Sequence, residues 1–190
     1  MPRFLSLLAM LLLPGALSAD FKIEGGANTD FLETAGVVAV LPAICPAKVD
    51  CGWLDRRIAG ELQRRKKPQF RSVEAGRAAL VALGSTELSA ANRSALGEAL
   101  GAQTLLEIRV RELEKERREG KPDADDEADS GEGLAANVRG RLEIRAMSVQ
   151  SGATLAQGAA FGDANVGTEK RLLGPMLTQL MGRMFPLPRH

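Results

Sequence analysis

The chain has 190 residues, of which 26% are charged and 45% are hydrophobic, and its formal net charge is +1. A net charge this close to zero excludes a general electrostatic attraction to nucleic acids or to anionic membranes. Once an N-terminal leader is set aside, about 170 residues remain, and this length is sufficient for one domain with its own hydrophobic core.

Residues 1–19 have the layout of a secretory signal peptide. Arg3 provides a positive charge, residues 4–13 form an almost unbroken apolar run, and small residues follow a Pro-Gly pair. We predict cleavage after Ser18 or Ala19. An uncleaved anchor is the alternative, but the apolar run is shorter than the roughly 20 residues that cross a bilayer. Because no cysteine lies at the junction, we expect an exported protein that is not lipidated there.

Residues 20–35 are predicted to form an irregular lead-in. Strands and helices are predicted to alternate after it. The apolar run GVVAVLP is typical of a strand buried on both faces. Leu54, Ile58 and Leu62 recur at every fourth position, which predicts an amphipathic helix with Asp50 as its N-cap. A short strand, FRSV, and two helices, EAGRAALVAL and SAANRSALGEAL, follow.

Cys45 and Cys51 are the only cysteines and lie in the segment LPAICPAKVDCGW, before the first of these helices. In an oxidising compartment nearby thiols tend to pair, and closing this short loop would stabilise the fold by roughly 2 kcal/mol. A zinc site would need further Cys or His ligands, and the only histidine is His190. The spacing also differs from the Cys-x-x-Cys of thioredoxin-like chemistry. We therefore predict a disulfide, with a free buried pair as the alternative.

The second half of the chain is predicted to contain a three-stranded antiparallel meander. In TLLEIRVREL and VRGRLEIRAMSV apolar and charged residues alternate, so each strand has one face in the core and one in solvent. The segment QSGA, with Gly152 at positive φ, predicts a turn into a third strand, TLAQGAAFG. A C-terminal helix with Pro175 near its start completes the domain. Its predicted buried face consists of Leu173, Met176, Leu177, Leu180 and Met184.

The acidic insert, residues 115–137, separates the first two strands of this meander. It contains almost no large apolar residues, and such a segment cannot offset the conformational entropy lost on ordering. We predict a charged loop at the tip of a hairpin. The run DADDEAD offers a calcium loop as an alternative, but it lacks the glycine and the final glutamate of an EF-hand.

The outer face of the meander supplies the candidate interaction residues. Glutamates and arginines on the first two strands can lie opposite each other in an antiparallel pair. Carboxylate pairs there could in principle act as acid and base, but ion pairing with arginine on a solvated surface is their commoner role. The six candidates are Glu107, Arg109, Arg111, Arg141, Glu143 and Arg145.

Catalytic chemistry finds little support in the sequence. Without an internal histidine, the Ser-His and Cys-His arrangements of nucleophilic catalysis are absent. No glycine-rich phosphate loop follows the first strand. We predict no enzyme activity, no catalytic residue, no metal site and no cofactor.

The predicted fold class is α/β (α+β): one mixed sheet with a three-stranded antiparallel meander and helices packed on it. We expect a single domain at residues 36–185 that carries the acidic insert, and a short tail at residues 186–190.

Five segments resemble the TolB amino-terminal, CsgG-type family of envelope proteins: VVAVLP, LDRRIAGELQ, QFRSVE, LGEALGAQTLLEIRV and GRLEIRAMSVQSGATLAQG. In that family the first strand ends in AVLPF, a GAD-containing motif opens the hairpin, and a D-TGE turn precedes the last strand. Here Ala43 replaces the phenylalanine, Gln103 replaces the aspartate, and residues 150–152 replace the turn. The resemblance extends over residues 36–184.

The resemblance implies a TolB-N-like fold and a non-catalytic periplasmic protein that acts as a scaffold, or as an assembly or secretion accessory, through protein–protein contacts. Similar proteins include the periplasmic domain of the curli secretion channel, the ring lipoprotein of Pel polysaccharide export, outer-membrane activators of penicillin-binding proteins, and the amino-terminal domain of TolB. The acidic insert is too charged to cross a membrane as the curli channel hairpins do.

The expected partners are therefore envelope proteins, including a second copy of this chain as a homo-oligomer. We expect no nucleic-acid partner and no transmembrane segment after signal cleavage. One alternative function is activation of a peptidoglycan synthase. An alternative from a different class is a small periplasmic hydrolase.

Overall fold

The computed structural model describes residues 20–27, 29–65, 67–117, 136–165 and 168–187. The predicted signal peptide, most of the acidic insert and the end of the predicted tail therefore lie outside the described residues. The strands are β1 (Asp20–Gly26), β2 (Val37–Val40), β3 (Gln69–Arg71), β4 (Thr104–Arg117), β5 (Ala136–Ser148) and β6 (Thr154–Asn165). The helices are α1 (Thr29–Thr34), α2 (Cys51–Gln63), α3 (Val73–Ala82), α4 (Arg93–Leu100) and α5 (Glu169–Met184).

The six strands form one mixed sheet in the order β1-β6-β5-β4-β2-β3. β2 is parallel to both of its neighbours, β3 and β4. β4, β5 and β6 form an antiparallel meander, and β1 adds an antiparallel edge strand to it. The predicted fold class, a mixed sheet with a three-stranded meander and helices packed on it, is confirmed.

The segment 20–35 is not irregular, so the predicted lead-in is wrong. β1 pairs with β6 along its whole length, and α1 follows it. Phe21 and Ile23 pack against the core. The local sequence, which ends in Gly25 and Gly26, is a poor strand former. It forms a strand because its backbone pairs with the edge of β6, which is distant in sequence, and because its apolar side chains pack against the core there.

The helix boundaries agree with the sequence patterns except at two starts. The Asp50 side chain accepts a hydrogen bond from the backbone N–H of Trp53 at 3.0 Å, as an N-cap should. α4 begins at Arg93 and not at the predicted Ser89; in the turn before it, the side chains of Ser89 and Asn92 bond each other's backbone N–H groups at 3.2 and 2.8 Å. α5 begins at Glu169, so Pro175 lies inside this helix and not near its start.

The two faces of the sheet are covered unequally. α1, α2 and α5 pack on one face, in a core that includes Ile58, Ile108 and Leu177. α3 and α4 pack on the other face, where they cover only the end of the sheet near β2 with a smaller cluster that includes Leu80 and Leu105. On this second face β5, β6 and β1 present mostly charged side chains that are exposed or half-buried.

β6 determines how closely α5 approaches the sheet. Every residue that β6 turns toward α5 is small and buried. A Cβ atom at Gly158 would lie 2.7 Å from Leu180 Cδ2, and one at Gly162 would lie 2.8 Å from Leu172 Cδ1. Because no larger side chain fits, α5 rests almost directly on the backbone of β6. These small residues are Ala156, Gly158, Ala160, Gly162 and Ala164.

A buried ion pair joins the C-terminal ends of α2 and α5. The side chains of Glu61 and Arg65 are each 3% exposed and approach to 3.0 Å. Arg65 Nε donates to the carbonyl oxygen of Phe185 at 2.7 Å, and the Thr178 hydroxyl donates to Glu61 at 2.8 Å. Burial raises the pKa of Glu61, but the hydrogen bonds from Arg65 and Thr178 outweigh it and hold the pKa below its usual range. Arg65 is therefore a buried cation whose partners lie in α2 and at the end of α5.

The loop between β2 and α2 is held by covalent and polar contacts. Cys45 and Cys51 form a disulfide with their Cα atoms 5.9 Å apart. The backbone N–H of Ala43 donates to Asp55 Oδ1 at 2.8 Å, and Asp55 pairs with Arg77 of α3. Burial raises the pKa of Asp55, and these two partners counter it only in part. The loop is therefore fixed to both neighbouring helices.

Glycine substitutions should separate close helix packing from helix propensity. A Cβ atom at Gly76 of α3 would clash with the carbonyl oxygen of Val40, whereas one at Gly60 of α2 would meet nothing within 4 Å. Gly76→Ala should therefore lower the free energy of unfolding by about 2 kcal/mol. Gly60→Ala should raise it by up to about 1 kcal/mol, since alanine is the better helix former. Urea denaturation measures both, and a Gly76→Ala protein as stable as the wild type would contradict the packing of α3 on β2.

Candidate functional site

All six candidate interaction residues lie together on the open face of the sheet. The register of β4 and β5 places Glu107 opposite Arg145 and Arg109 opposite Glu143. Arg111 is the extra residue of a β-bulge between Val110 and Glu112, where the register shifts. With Glu24 of β1 and residues 157–159 of β6, the six residues line a cleft of about 310 Å³, here called the charged cleft.

Glu107 lies at the floor of the charged cleft with its side chain only 6% exposed. Its two carboxylate oxygens accept hydrogen bonds from Arg109 Nη2 at 3.3 Å and from Arg145 Nη2 at 3.0 Å. A buried carboxylate requires such partners, and removing one of them leaves an uncompensated charge. Glu107 therefore fixes the positions of two arginines.

Glu143 holds a second pair of arginines in the same cleft. Arg111 Nε donates to Glu143 Oε2 at 2.8 Å, and Arg141 Nη2 lies 2.5 Å from Glu143 Oε1. Burial raises the pKa of Glu143, but the hydrogen bond from Arg111 and the charge of Arg141 outweigh it and lower the pKa below its usual value. A carboxyl that stays ionised at neutral pH is a poor general acid. This carboxylate is better suited to orient arginines than to transfer protons.

Two arginines of the charged cleft have a buried Nε atom without a partner in the described part of the chain. Nε of Arg109 and Nε of Arg141 are buried and have no hydrogen-bond partner within the part of the chain that the structure describes. The Arg141 guanidinium also lies over the ring of Phe161, 4.6 Å from its centroid. The stacking on Phe161 and the ion pair with Glu143 therefore hold the Arg141 guanidinium in place.

A second open site, the helix groove, lies between α2 and α5. It has a volume of about 540 Å³. The hydrophobic and charge patterns of the sequence do not predict this groove. The sequence features that could have indicated it are Trp53 and the Gly-Pro pair inside α5. Its lining consists of Trp53, Arg57, Lys170, Arg171, Gly174, Pro175, Thr178 and Gln179.

Two negative observations apply to the described ranges. They contain no group of three or more His, Cys, Asp or Glu residues placed to hold a metal ion. They also contain no helix that combines the length and the apolarity needed to cross a membrane.

Comparison with known proteins identifies the fold through solved structures. No protein-family model and no curated protein matches the sequence. PelC from Paraburkholderia phytofirmans, solved as a dodecamer, matches with a TM-score of 0.57 over 90% of this chain and 100% of its own, at 10% identity. Lipoprotein GNA1162 from Neisseria meningitidis matches with a TM-score of 0.51 over 77% of this chain and 96% of its own, at 15% identity. The chain has the fold of these two proteins. The narrower assignment to the TolB amino-terminal, CsgG-type family stays a prediction.

The ion pairs of Glu143 should make the stability of the fold depend on pH. Because the folded-state pKa of Glu143 is lowered, its contribution is fully present above the unfolded pKa of about 4.3 and is lost as the pH falls through that value toward the folded pKa. Glu143→Gln should therefore be less stable than the wild type at pH 7, and the difference should shrink below about pH 4.3. Denaturant titrations at several pH values measure this difference. A difference that stays constant with pH would contradict the role of the Glu143 charge.

Proposed function

We propose that this protein is a non-catalytic scaffold of the bacterial cell envelope that acts in the periplasm. It acts as an assembly or secretion accessory through protein–protein contacts. The charged cleft on the open face of the sheet is its contact surface for another envelope protein or for a second copy of the chain.

The observation that carries this proposal is the geometry of the charged cleft. Arg109 and Arg145 are held by Glu107, and Arg111 and Arg141 are held by Glu143, so four guanidinium groups are fixed in advance. Prior fixation reduces the side-chain entropy that binding would otherwise remove. The partly exposed guanidinium groups of Arg111, Arg141 and Arg145 favour a partner that presents carbonyl or carboxylate oxygens.

The comparison with PelC supports a scaffold through the assembly state of that protein. PelC, which has this fold, was solved as a dodecamer, so the fold is compatible with assembly of many copies. Likeness of fold does not by itself assign function, and the charged cleft is a property of this chain.

Site-directed photo-crosslinking in the envelope tests the contact surface. A photo-reactive phenylalanine analogue replaces Ala159, which lies in the charged cleft. A matched variant carries the same group at Val81, which is 72% exposed on α3. The Ala159 position should give a discrete adduct that mass spectrometry identifies as an envelope protein or as a second copy of the chain. Absence of an adduct at Ala159, or the same adduct from Val81, would contradict the proposal.

A further inference from the structure

The helix groove is an aromatic platform that the fold leaves uncovered. Trp53 projects from the first turn of α2 and is only half-buried. Lys170 lies over its ring, with Nζ 5.9 Å from the centroid. Across the groove, Arg57 donates to the Thr178 hydroxyl at 3.3 Å, and that hydroxyl donates to the buried Glu61. The walls of the groove are thus fixed by contacts that reach the core.

The Gly174-Pro175 pair inside α5 lines the helix groove. Glycine and proline inside a helix cost about 1 and about 3 kcal/mol relative to alanine. Close packing does not require glycine here, because a Cβ atom at Gly174 would lie 3.7 Å from Trp53 Cη2, which is an ordinary contact distance. Gly174 is itself buried and lies beside the Trp53 ring in the lining of the groove. α5 therefore contains two poor helix formers where it lines the groove.

The helix groove is positively charged. Its lining contains the three cations Arg57, Lys170 and Arg171 and no carboxylate. Arg57 pairs with Glu61 at 3.7 Å, and Lys170 pairs with Asp50 at 3.2 Å. Arg171 forms no ion pair within the described ranges and is exposed. An acidic, extended segment would complement this surface.

The chain itself carries a segment of that chemistry. Residues 123–132, here called the acidic run, contain six carboxylates and no basic residue. The acidic run lies in the part of the chain between Arg117 at the end of β4 and Ala136 at the start of β5, outside the described residues. Half of the residues between these strand ends can span up to about 30 Å when extended. The acidic run can therefore lie at up to that distance from the ends of β4 and β5.

We propose that the acidic run of one copy binds the helix groove of a second copy. This inference rests on the proposed scaffold function and specifies how copies of the chain assemble. The contact joins two different surfaces, so it is head-to-tail, and repeated head-to-tail contacts close into a ring when the rotation allows. Carboxylates pair with Lys170 and Arg171, while the backbone of the acidic run lies against Trp53 and Pro175.

Two charge variants separate the two halves of this contact. The groove variant carries Lys170→Glu and Arg171→Glu, both in the first turn of α5, where acidic residues interact favourably with the helix dipole. The run variant converts each acid of the acidic run to its amide: Asp123→Asn, Asp125→Asn, Asp126→Asn, Glu127→Gln, Asp129→Asn and Glu132→Gln.

Light scattering after size exclusion, at low ionic strength, gives the mass of each species. The wild type should have a multiple of the single-chain mass, and each variant alone should have the single-chain mass. A one-to-one mixture should form pairs of twice that mass, because the groove variant keeps an intact acidic run and the run variant keeps an intact groove. A control with Arg64→Glu and Lys67→Glu makes the same charge change at exposed positions outside the groove and should assemble as the wild type does.

Each other result overturns the inference. If the groove variant keeps the wild-type mass, the groove is not part of the assembly contact; if the run variant keeps it, the acidic run is not. If the acidic run binds the groove of its own chain, both variants should keep the wild-type mass. If both variants are single chains but do not pair when mixed, the acidic run does not meet the groove. A single-chain wild type overturns head-to-tail assembly but leaves the photo-crosslinking result at Ala159 unaffected, so the failure of this inference is distinguishable from failure of the proposed function.

Discussion

The close approach of α5 to β6 is the constraint on which the rest of the structure depends. β6 turns only alanines and glycines toward this helix, and at Gly158 and Gly162 there is no space even for a Cβ atom without movement of leucine side chains. The larger apolar residues therefore come from α5 itself, with Leu172, Met176 and Leu180 filling the layer between helix and sheet. α1, α2 and α5 supply the main core on this side of the sheet. On the opposite side, β5, β6 and β1 carry exposed or half-buried side chains, and no helix of the described residues covers them.

An open sheet face must still satisfy its buried charges. Glu107 lies deep in the charged cleft, and Arg109 and Arg145 compensate it, while Glu143 pairs with Arg111 and Arg141. Each carboxylate thus pairs with two arginines, and these ion pairs fix the side chains of this face although no apolar layer covers it. The helix groove on the other side of the molecule differs, because its lining has cations and no carboxylate. The two surfaces lie on opposite faces of the sheet, so a scaffold can use one for a partner and the other for its own copies.

Much of this fold is predictable from sequence because local patterns decide it. The alternation of Glu107, Ile108 and Arg109 gives one wet and one dry face, and the fourfold spacing of Leu54 and Ile58 gives an amphipathic helix. Contacts between residues distant in sequence decide the remainder. β1 exists because β6 has a free edge, Arg65 is buried because Phe185 presents a carbonyl oxygen to it, and the helix groove forms only where α2 meets α5. The six residues of the charged cleft were identifiable from their alternation, but the bulge at Arg111 that adjusts their register was not.

Valine substitutions at neighbouring positions of β6 test most directly whether one face of this strand is closed and the other open. Gly162 faces α5, where a Cβ atom would lie 2.8 Å from Leu172 and 3.2 Å from Met176, whereas Ala159 lies in the charged cleft. Gly162→Val should lower the free energy of unfolding by about 2 kcal/mol or more. Ala159→Val should change it by less than about 0.5 kcal/mol. Equal effects of the two substitutions in urea denaturation would contradict the asymmetric sheet on which both proposed contacts rest.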